Sequence, residues 1–421
     1  MASAVLIVCG IISGATSLYW LYFVITSLPL TRLPAPPDPE TDRVRRFAVL
    51  IFGRNEAAVI GQLVESLRDQ DYPADSFDIF VTADNCTDDT AIIAAEAGAI
   101  VWERFDTERT GKGAAMRWFF ERFRLEEARN YDACAVFDAD NVVDPGFLAA
   151  MNRHLNRGND IAIGYRLSKN PSDSAVASAS ALFWLAQARF ILAPRTRRGV
   201  PCPSVGGPGF AFDLSVLPDG LWPTKSPFED IEFTLLSIAA GRTVSFTYDA
   251  VFYDEQPVTW WQSTRQRYRW NVDILLMLKY GTPFLLRTFR ERWRKSYDAV
   301  IFSLGGAASA LGFVIGPVMT ILAGITLQNW GLVIASTIFG TAVSYAISCG
   351  ISWLVLKLEG QWWDRAWSGI LIFPFYMWTT MALAVVAVFY RTTRPSSTPH
   401  TASMTLQDVL RAQSLARGVT E

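Results

Sequence analysis

The sequence predicts an α/β domain with a mostly parallel sheet, joined to transmembrane helices. Three observations carry this. Uncharged stretches at 2–30, 299–356 and 366–390 bracket a normally charged segment. Inside that segment, short apolar runs alternate with stretches of helical spacing. Polar residues able to do chemistry fall just after the apolar runs.

The chain has 421 residues, 51% hydrophobic and 19% charged. All 38 Lys+Arg and 40 Asp+Glu lie outside the three uncharged stretches. The remainder is therefore about a quarter charged, as ordinary soluble domains are. This excludes a disordered, collagen-like or purely soluble protein. A net charge of −2 without long like-charge runs gives no reason to expect nucleic acid as a partner. The cysteines (Cys9, Cys86, Cys134, Cys202, Cys349) are scattered, and none forms a CxxC pair. That argues against a disulfide framework or a zinc site and suits a reducing compartment. Only His154 and His400 are present, which makes a histidine triad or histidine-rich metal site improbable.

Taken in order, residues 1–30 are expected to form an N-terminal transmembrane helix, since about 20 apolar residues cross a bilayer. A signal peptide would carry a basic n-region, and none precedes the stretch. Residues 31–298 form the expected cytoplasmic domain, entered through a linker at Pro34-Ala-Pro-Pro-Asp-Pro. Apolar runs at Phe47–Phe52, Phe77–Asp84, Ala99–Trp102 and Cys134–Asp138 read as strands. Helical spacing at Glu56–Gln70, Asp88–Ala97, Lys112–Arg129 and Pro145–Asn156 fills the gaps. That alternation means βαβ units and a parallel sheet. In residues 282–295, Leu285, Phe289 and Trp293 recur every four residues among basic ones, which reads as a helix in the membrane interface. Residues 299–390 are expected to hold three transmembrane helices. The 299–356 stretch would be ~87 Å long as one helix, so it must turn, most simply near Gln328-Asn329-Trp330.

Arg32, Arg43, Arg45 and Arg46 follow the first pass, and Arg287, Arg290, Arg292, Arg294 and Lys295 precede the second. The positive-inside rule then puts both flanks of the domain in the cytoplasm, at the plasma membrane of a multi-pass protein. Lys357 and Arg365 return to that side. Alternation places the tail outside, although Arg391 and Arg394 open it. A re-entrant segment or a tail that breaks the rule would reconcile the two. The tail, 391–421, is rich in Ser, Thr and Pro from Thr392 and is expected to be poorly ordered.

In parallel α/β sheets, ligands bind beyond the carboxyl ends of the strands. Arg54-Asn55-Glu56, Asp84-Asn85, the turn before Lys112, and Asp138-Ala139-Asp140 all fall there. Asp138 and Asp140, at i and i+2 at a strand end, share a face and could converge on Mg²⁺ or Mn²⁺. The plainer reading of such a pair is a solvated loop, and its place after an apolar strand favours the metal. Gly111-Lys112-Gly113 lacks the spacing and the Ser/Thr of a P-loop, but Lys112 could still reach a phosphate. Asn85-Cys86-Thr87 matches a glycosylation sequon and is set aside for a cytoplasmic domain, while Asp88 and Asp89 suit a helix N-terminus. Glu229-Asp230 opens a helical pattern and by itself reads as a capping pair. Gln266-Arg-Tyr-Arg269-Trp270 by itself reads as an interface helix.

In combination they say more. RNEAAVI, ADNCTDDTA, GKG, FDADNVVDP, FEDIEFT, YDEQP and QRYRW occur in that order. The chain here resembles the membrane-embedded glycosyltransferase family 2, the group of cellulose, hyaluronan and poly-N-acetylglucosamine synthases, over about residues 44–275. The resemblance implies a nucleotide-sugar-binding, GT-A-like fold. It implies that Glu56 lies in the nucleotide pocket, that Asp84 reads the uracil ring and that Lys112 contacts the diphosphate. Asp138 and Asp140 would form the metal-diphosphate motif, with Asp140 the direct ligand. Asp230, beside Glu229, would be the general base. Gln266, Arg269 and Trp270 would hold the leaving diphosphate and the acceptor end. Three positions depart from the pattern: Ala83 replaces a first acid, Phe228 replaces a Thr, and Asn271-Val-Asp273 stands where small residues often follow the Trp. The last two bear on the acceptor.

The expected reaction is an inverting transfer from a UDP-sugar. A divalent metal neutralises the diphosphate, Lys112 and Arg269 add fixed charge, and Asp230 deprotonates the acceptor hydroxyl. The acid set with QxxRW suggests elongation of a β-linked polysaccharide, with a homo-oligomer or an export partner to complete a channel. The alternative is transfer of a single sugar to a lipid acceptor held by the bilayer. A non-catalytic nucleotide-sugar sensor is the remote third reading.

Overall fold

The computed structural model describes residues 2–28, 43–226, 228–390 and 402–416. The linker at 34–39, Arg32, Arg391, Arg394 and Thr392 lie outside the described residues.

Helix α1 (Ala2–Thr26) is uncharged along its length. Strand β1 (Phe47–Gly53) follows the linker, and all its residues are buried, as a strand covered on both faces requires. Helix α2 (Ile60–Arg68), strand β2 (Phe77–Asp84), helix α3 (Thr90–Glu96), strand β3 (Ile100–Arg104), helix α4 (Lys112–Glu126) and strand β4 (Ala133–Asp138) then alternate. β1 lies parallel between β2 and β4, and β3 runs parallel beside β2. The carboxyl ends of all four strands therefore face one edge.

The second half was not resolved by the apolar pattern. It holds β5 (Val142–Val143), α5 (Phe147–Asn156), β6 (Ile161–Ser168), α6 (Ala175–Ala186), a wider π-helical turn (Gln187–Leu192), α7 (Ala193–Arg197), β7 (Phe210–Asp213), α8 (Glu229–Ala239) and β8 (Val244–Asp254). The eight strands form one sheet in the order β3-β2-β1-β4-β7-β6-β8-β5. β7 is antiparallel to both neighbours and β5 antiparallel to β8, so the sheet is mixed, with most pairs parallel. Gly209 lets β7 enter this sheet: it has φ 73°, and a Cβ there would lie 2.0 Å from the Phe252 ring. One face of the sheet packs an aromatic layer that includes Phe80, Phe119, Phe123 and Phe212. The other packs aliphatic residues of α2 and α5, such as Leu63 and Met151.

The chain continues through α9 (Trp260–Tyr280), α10 (Thr282–Ser303), α11 (Gly305–Leu327), α12 (Trp330–Glu359) and α13 (Ala366–Phe389). Between α11 and α12, Gln328 takes φ 49° and the Asn329 side chain accepts from the Leu332 N–H at 3.1 Å. α10 bends at Arg292 and runs on to Ser303, so the boundary expected at 298/299 falls inside a helix. Among the described residues, four helical stretches are long and apolar enough to cross a membrane: Ala175–Arg197, Thr282–Leu327, Trp330–Glu359 and Ala366–Phe389. The first was not anticipated. More than half of its apolar window is buried against the rest of the protein, where α6 packs on α13, α12 and β6.

Three buried arginines bind the α/β domain to these helices. Arg189 meets Glu359 of α12 at 2.5 Å, and Glu359 also accepts from Tyr165 at 2.6 Å. Arg195 meets Asp298 of α10 at 2.5 Å. Arg267 of α9 donates to the Tyr376 carbonyl at 2.6 Å and to the Thr379 and Thr380 hydroxyls at 2.7 and 3.0 Å. Breaking such buried charge contacts is expensive, so they fix how the domain sits on the helices.

Part of the tail, residues 402–416, is described. Residues 406–416 form helix α14 (Leu406–Ala416), with Val409 buried. Thr405 and Asp408 cap its start reciprocally, at 3.0 and 3.2 Å. Lys169 donates to the Ala402 carbonyl at 2.9 Å and anchors the segment. A short amphipathic stretch after a polar one leaves little compositional trace.

Candidate active site

The strand-end turns are built from asparagines in the left-handed region, Asn55 at φ 58° and Asn85 at φ 54°. The Asn55 Oδ1 accepts from the Thr87 N–H at 2.8 Å, and Asn85 ties Asp84 to Asp106, at 2.9 and 3.0 Å. Glu56 is half-buried, and its N–H donates to Thr90 Oγ1 at 2.8 Å. Asp84 is buried at the end of β2 and takes Arg104 Nη1 at 2.6 Å. Burial raises its pKa against the pull of Arg104. Sequence reasoning missed Arg104. Its signal was an arginine ending the strand beside Asp84.

The second group surrounds the N-termini of α4 and α8. Lys112, the first residue of α4, donates to Asp138 Oδ1 at the end of β4. Gly113 allows the two helix ends to approach: a Cβ there would stand 3.2 Å from the Ser226 carbonyl and 3.4 Å from Glu229 Cβ. This brings Glu229 and Asp230 into the field of Lys112. Burial opposes the lysine's charge, but Asp138, Glu229 and Asp230 outweigh it and hold its pKa above the usual value. Burial also raises both acids, and Glu229 is pushed up to about 7 against Lys112 with Asp230 adding to the rise. Asp140 is buried two residues beyond Asp138, where Asn141 donates to it at 3.2 Å and to Asp254 at 2.8 Å.

The third group is on α9. Trp270 stacks on Phe183 at 5.5 Å and meets Trp184 edge-on at 5.3 Å, both on α6. The Gln266 Oε1 is buried without a hydrogen-bond partner. Arg269 and Asp273 lie one helical turn apart, and Asp273 interacts with Asp230, Arg269 and Glu229. Burial, with Asp230 adding, pushes Asp273 up to about 9. Asp230, Trp270 and Asp273 line a 310 Å³ cavity whose far wall is Tyr19 of α1, Ser309 of α11 and Thr380 of α13. Sequence reasoning had marked Asp273 only as a departure from the family pattern.

The structure thus joins Lys112, Asp138, Glu229, Asp230, Arg269 and Asp273 through direct or charge contacts, and Trp270 shares the cavity with Asp230 and Asp273. Asp84 is at the same sheet edge: Asp138 pairs with Phe52 of β1, and Gly53 pairs with Ala83, the residue before Asp84. Asp84 there is held by Arg104. Among the described residues no group of three His, Cys, Asp or Glu side chains could hold a metal. Asp138 and Asp140 alone are hard oxygen donors without imidazole or thiolate. That set fits Mg²⁺ or Mn²⁺ shared with substrate phosphate oxygens.

Comparison with known proteins places this site in a lineage. The family described as glycosyltransferase like family 2 matches residues 45–272. The probable glycosyltransferase YdaM of Bacillus subtilis is 27% identical over 260 residues, which cover 57% of this chain and 58% of that one. The beta-monoglucosyldiacylglycerol synthase of Synechocystis sp. is 30% identical over 134 residues, 29% of this chain and 28% of that one. The matched segment is thus less than two thirds of either relative's length. A mannosyltransferase from Pyrobaculum calidifontis, determined with GDP-Man and Mn²⁺, has the same fold, with TM-score 0.58, 16% identity, and 92% of this chain and 99% of that one covered. The family match runs from just before β1 into α9 and takes in every strand and every site residue named above except Asp273 and the far wall of the cavity, so this chain belongs to the glycosyltransferase like family 2.

Proposed function

We propose that the enzyme transfers one sugar from a UDP-sugar to a lipid acceptor presented by the bilayer, with inversion at the anomeric carbon. The observation that carries this reading is the cavity between Asp230 and helices α1, α11 and α13, which gives the candidate base access to an apolar space among the membrane helices. The Synechocystis relative, named as a synthase of a glucosyldiacylglycerol, supports a lipid acceptor.

In this mechanism Asp230 takes the proton from the acceptor hydroxyl as it attacks the anomeric carbon. The bond from that carbon to the diphosphate oxygen breaks on the opposite face. Lys112 and Arg269 supply positive charge where the leaving diphosphate gains negative charge. Mg²⁺ or Mn²⁺ bound by Asp138 and Asp140 would supply further positive charge at the diphosphate. Asp84, fixed by Arg104, and Glu56 border the nucleotide, while Gln266 and Trp270 border the acceptor. Glu229, at about 7, holds its proton in part at neutral pH, which leaves the base role to Asp230. The basic residues flanking the domain, Arg43, Arg45 and Arg46 on one side and Arg287 to Lys295 on the other, support a cytoplasmic catalytic face.

Polysaccharide elongation is the second reading. The cluster of Phe183, Trp184 and Trp270 favours it, because such rings are platforms for sugar faces. Product length separates the two. The full chain in lipid nanodiscs, given labelled UDP-sugars and dioleoylglycerol, is expected to yield an organic-soluble product with one sugar. A water-soluble polymer would replace the lipid reading, and absence of UDP release with every donor would leave only the sensor.

A further inference from the structure

Asp273 sits three residues after Trp270 and four after Arg269, on the face of α9 that lines the cavity with Asp230. Its Oδ1 is buried and has no hydrogen-bond partner. Buried polar atoms in native proteins are nearly always paired, and an orphan destabilises the fold that holds it. A group that lacks a partner in its own fold, yet faces a cavity beside the candidate base, is matched to something that enters the cavity.

The charges around it restrict what enters. Asp230 and Glu229 of α8 face Asp273, and Arg269 of its own helix is the cation among its interaction partners. Arg166 also lines the cavity but is engaged elsewhere. It meets Asp254 at 3.6 Å, donates to the Gly206 carbonyl, and lies 3.8 Å over the Trp184 ring. A phosphate headgroup would set negative charge against Asp230 in the cavity wall. An uncharged hydroxyl with a neighbouring ester or ether oxygen meets no such opposition. Because Asp273 keeps its proton through neutral pH, it can donate to that oxygen.

We propose that Asp273 is the acceptor-positioning residue, hydrogen-bonded to the polar group beside the attacking hydroxyl, and that it selects an uncharged lipid headgroup over a lipid phosphate. This rests on the lipid-acceptor reading above and names the class of lipid.

The test uses the full chain in nanodiscs with two acceptors, dioleoylglycerol and a polyprenyl phosphate. The wild type is expected to glycosylate dioleoylglycerol in preference. Asp273→Leu is expected to raise the dioleoylglycerol KM by about tenfold or more while the donor KM stays within about twofold. Asp273→Asn, whose amide still donates, is expected to recover most of that loss. Equal KM values for the wild type and the Leu variant would overturn the proposal, as would equal damage by Leu and Asn or preference for the phosphate acceptor. A wild type that labels no lipid and builds a polymer would remove the lipid-acceptor reading and this proposal with it. Labelled dioleoylglycerol with an indifferent Leu variant removes only the role of Asp273.

Discussion

Asp84 and Arg104 are register partners on the parallel strands β2 and β3, and their side chains meet at 2.6 Å with both buried. The pair fixes the acid at the strand end where the nucleotide is expected. Removing the arginine would strand a buried carboxylate, a defect that costs about 3–5 kcal/mol. Arg104→Met should therefore lower the thermal midpoint and weaken UDP binding together. Arg104→Lys should recover little, because an ammonium cannot reproduce the fork that also reaches Asp106 at 2.9 Å and the Arg109 carbonyl at 2.6 Å. Calorimetry and UDP titration check both effects; a Met variant with unchanged UDP affinity would detach Asp84 from the nucleotide.

Asp230 and Glu229 are adjacent acids with different expected duties. Asp230→Asn should retain UDP-sugar binding and lose transfer by about 10²–10⁴-fold, the usual worth of a general base. Glu229→Gln should lose less, since that side chain is already partly protonated at neutral pH. Transfer assays alongside UDP binding decide it, and near-normal transfer by Asp230→Asn would take that residue out of the base role.

The raised acids also give the stability a pH slope. Asp273 moves from an ordinary 3.8 to about 9 on folding, because burial and Asp230 disfavour its charged form. Between those values the folded state binds the extra proton, so stability falls as pH rises, by at most about 1.4 kcal/mol per pH unit from this group. Glu229 adds a slope of the same sign between 4.5 and about 7. The thermal midpoint should therefore decline from pH 5 to pH 9, and Asp273→Asn should flatten the upper part of that decline. A midpoint that rises over this range would contradict the burial of these acids.

The four parallel strands were legible because each is a buried apolar run bounded by turn residues, and β1 and β4 show that pattern plainly. β6 to β8 were not, since their partners are distant in sequence and β7 spans only Phe210–Asp213. The apolar segment Ala175–Arg197 escaped notice because Arg189 and Arg195 interrupt it, and those charges are satisfied by Glu359 and Asp298 far along the chain. Motif order named Lys112, Asp138 and Asp230. It could not name Asp273, whose meaning depends on a cavity shared with α1, α11 and α13.

Metal dependence follows from how few donors are present. With two aspartates and no third His, Cys, Asp or Glu in reach among the described residues, a divalent ion would be held in large part by the donor's phosphates. Activity should therefore vanish in EDTA and return with Mg²⁺ or Mn²⁺, while the thermal midpoint without donor changes little. Asp140→Asn should raise the metal concentration needed for half-maximal rate. Full turnover in EDTA would remove the metal from the reaction.

Arg267 and Arg269 are two residues apart on α9 and should fail differently when replaced. Arg267 is fully buried, grips α13 through three contacts and lies 4.1 Å from the centre of the Tyr376 ring. Arg267→Met should cost stability by about 1–3 kcal/mol, from acceptors left unpaired in the interior. Its effect on turnover should come through displacement of α9, with donor and acceptor KM disturbed together. Arg269 shares the charge field of Asp273 and is expected to act on the leaving diphosphate. Arg269→Met should lower kcat by about 10²-fold or more, as loss of a charge-stabilising group does, and leave the thermal midpoint near that of the wild type. Measured kcat and midpoint for both variants test the division. If Arg269→Met unfolds the protein while Arg267→Met spares it, the two arginines have been assigned in reverse.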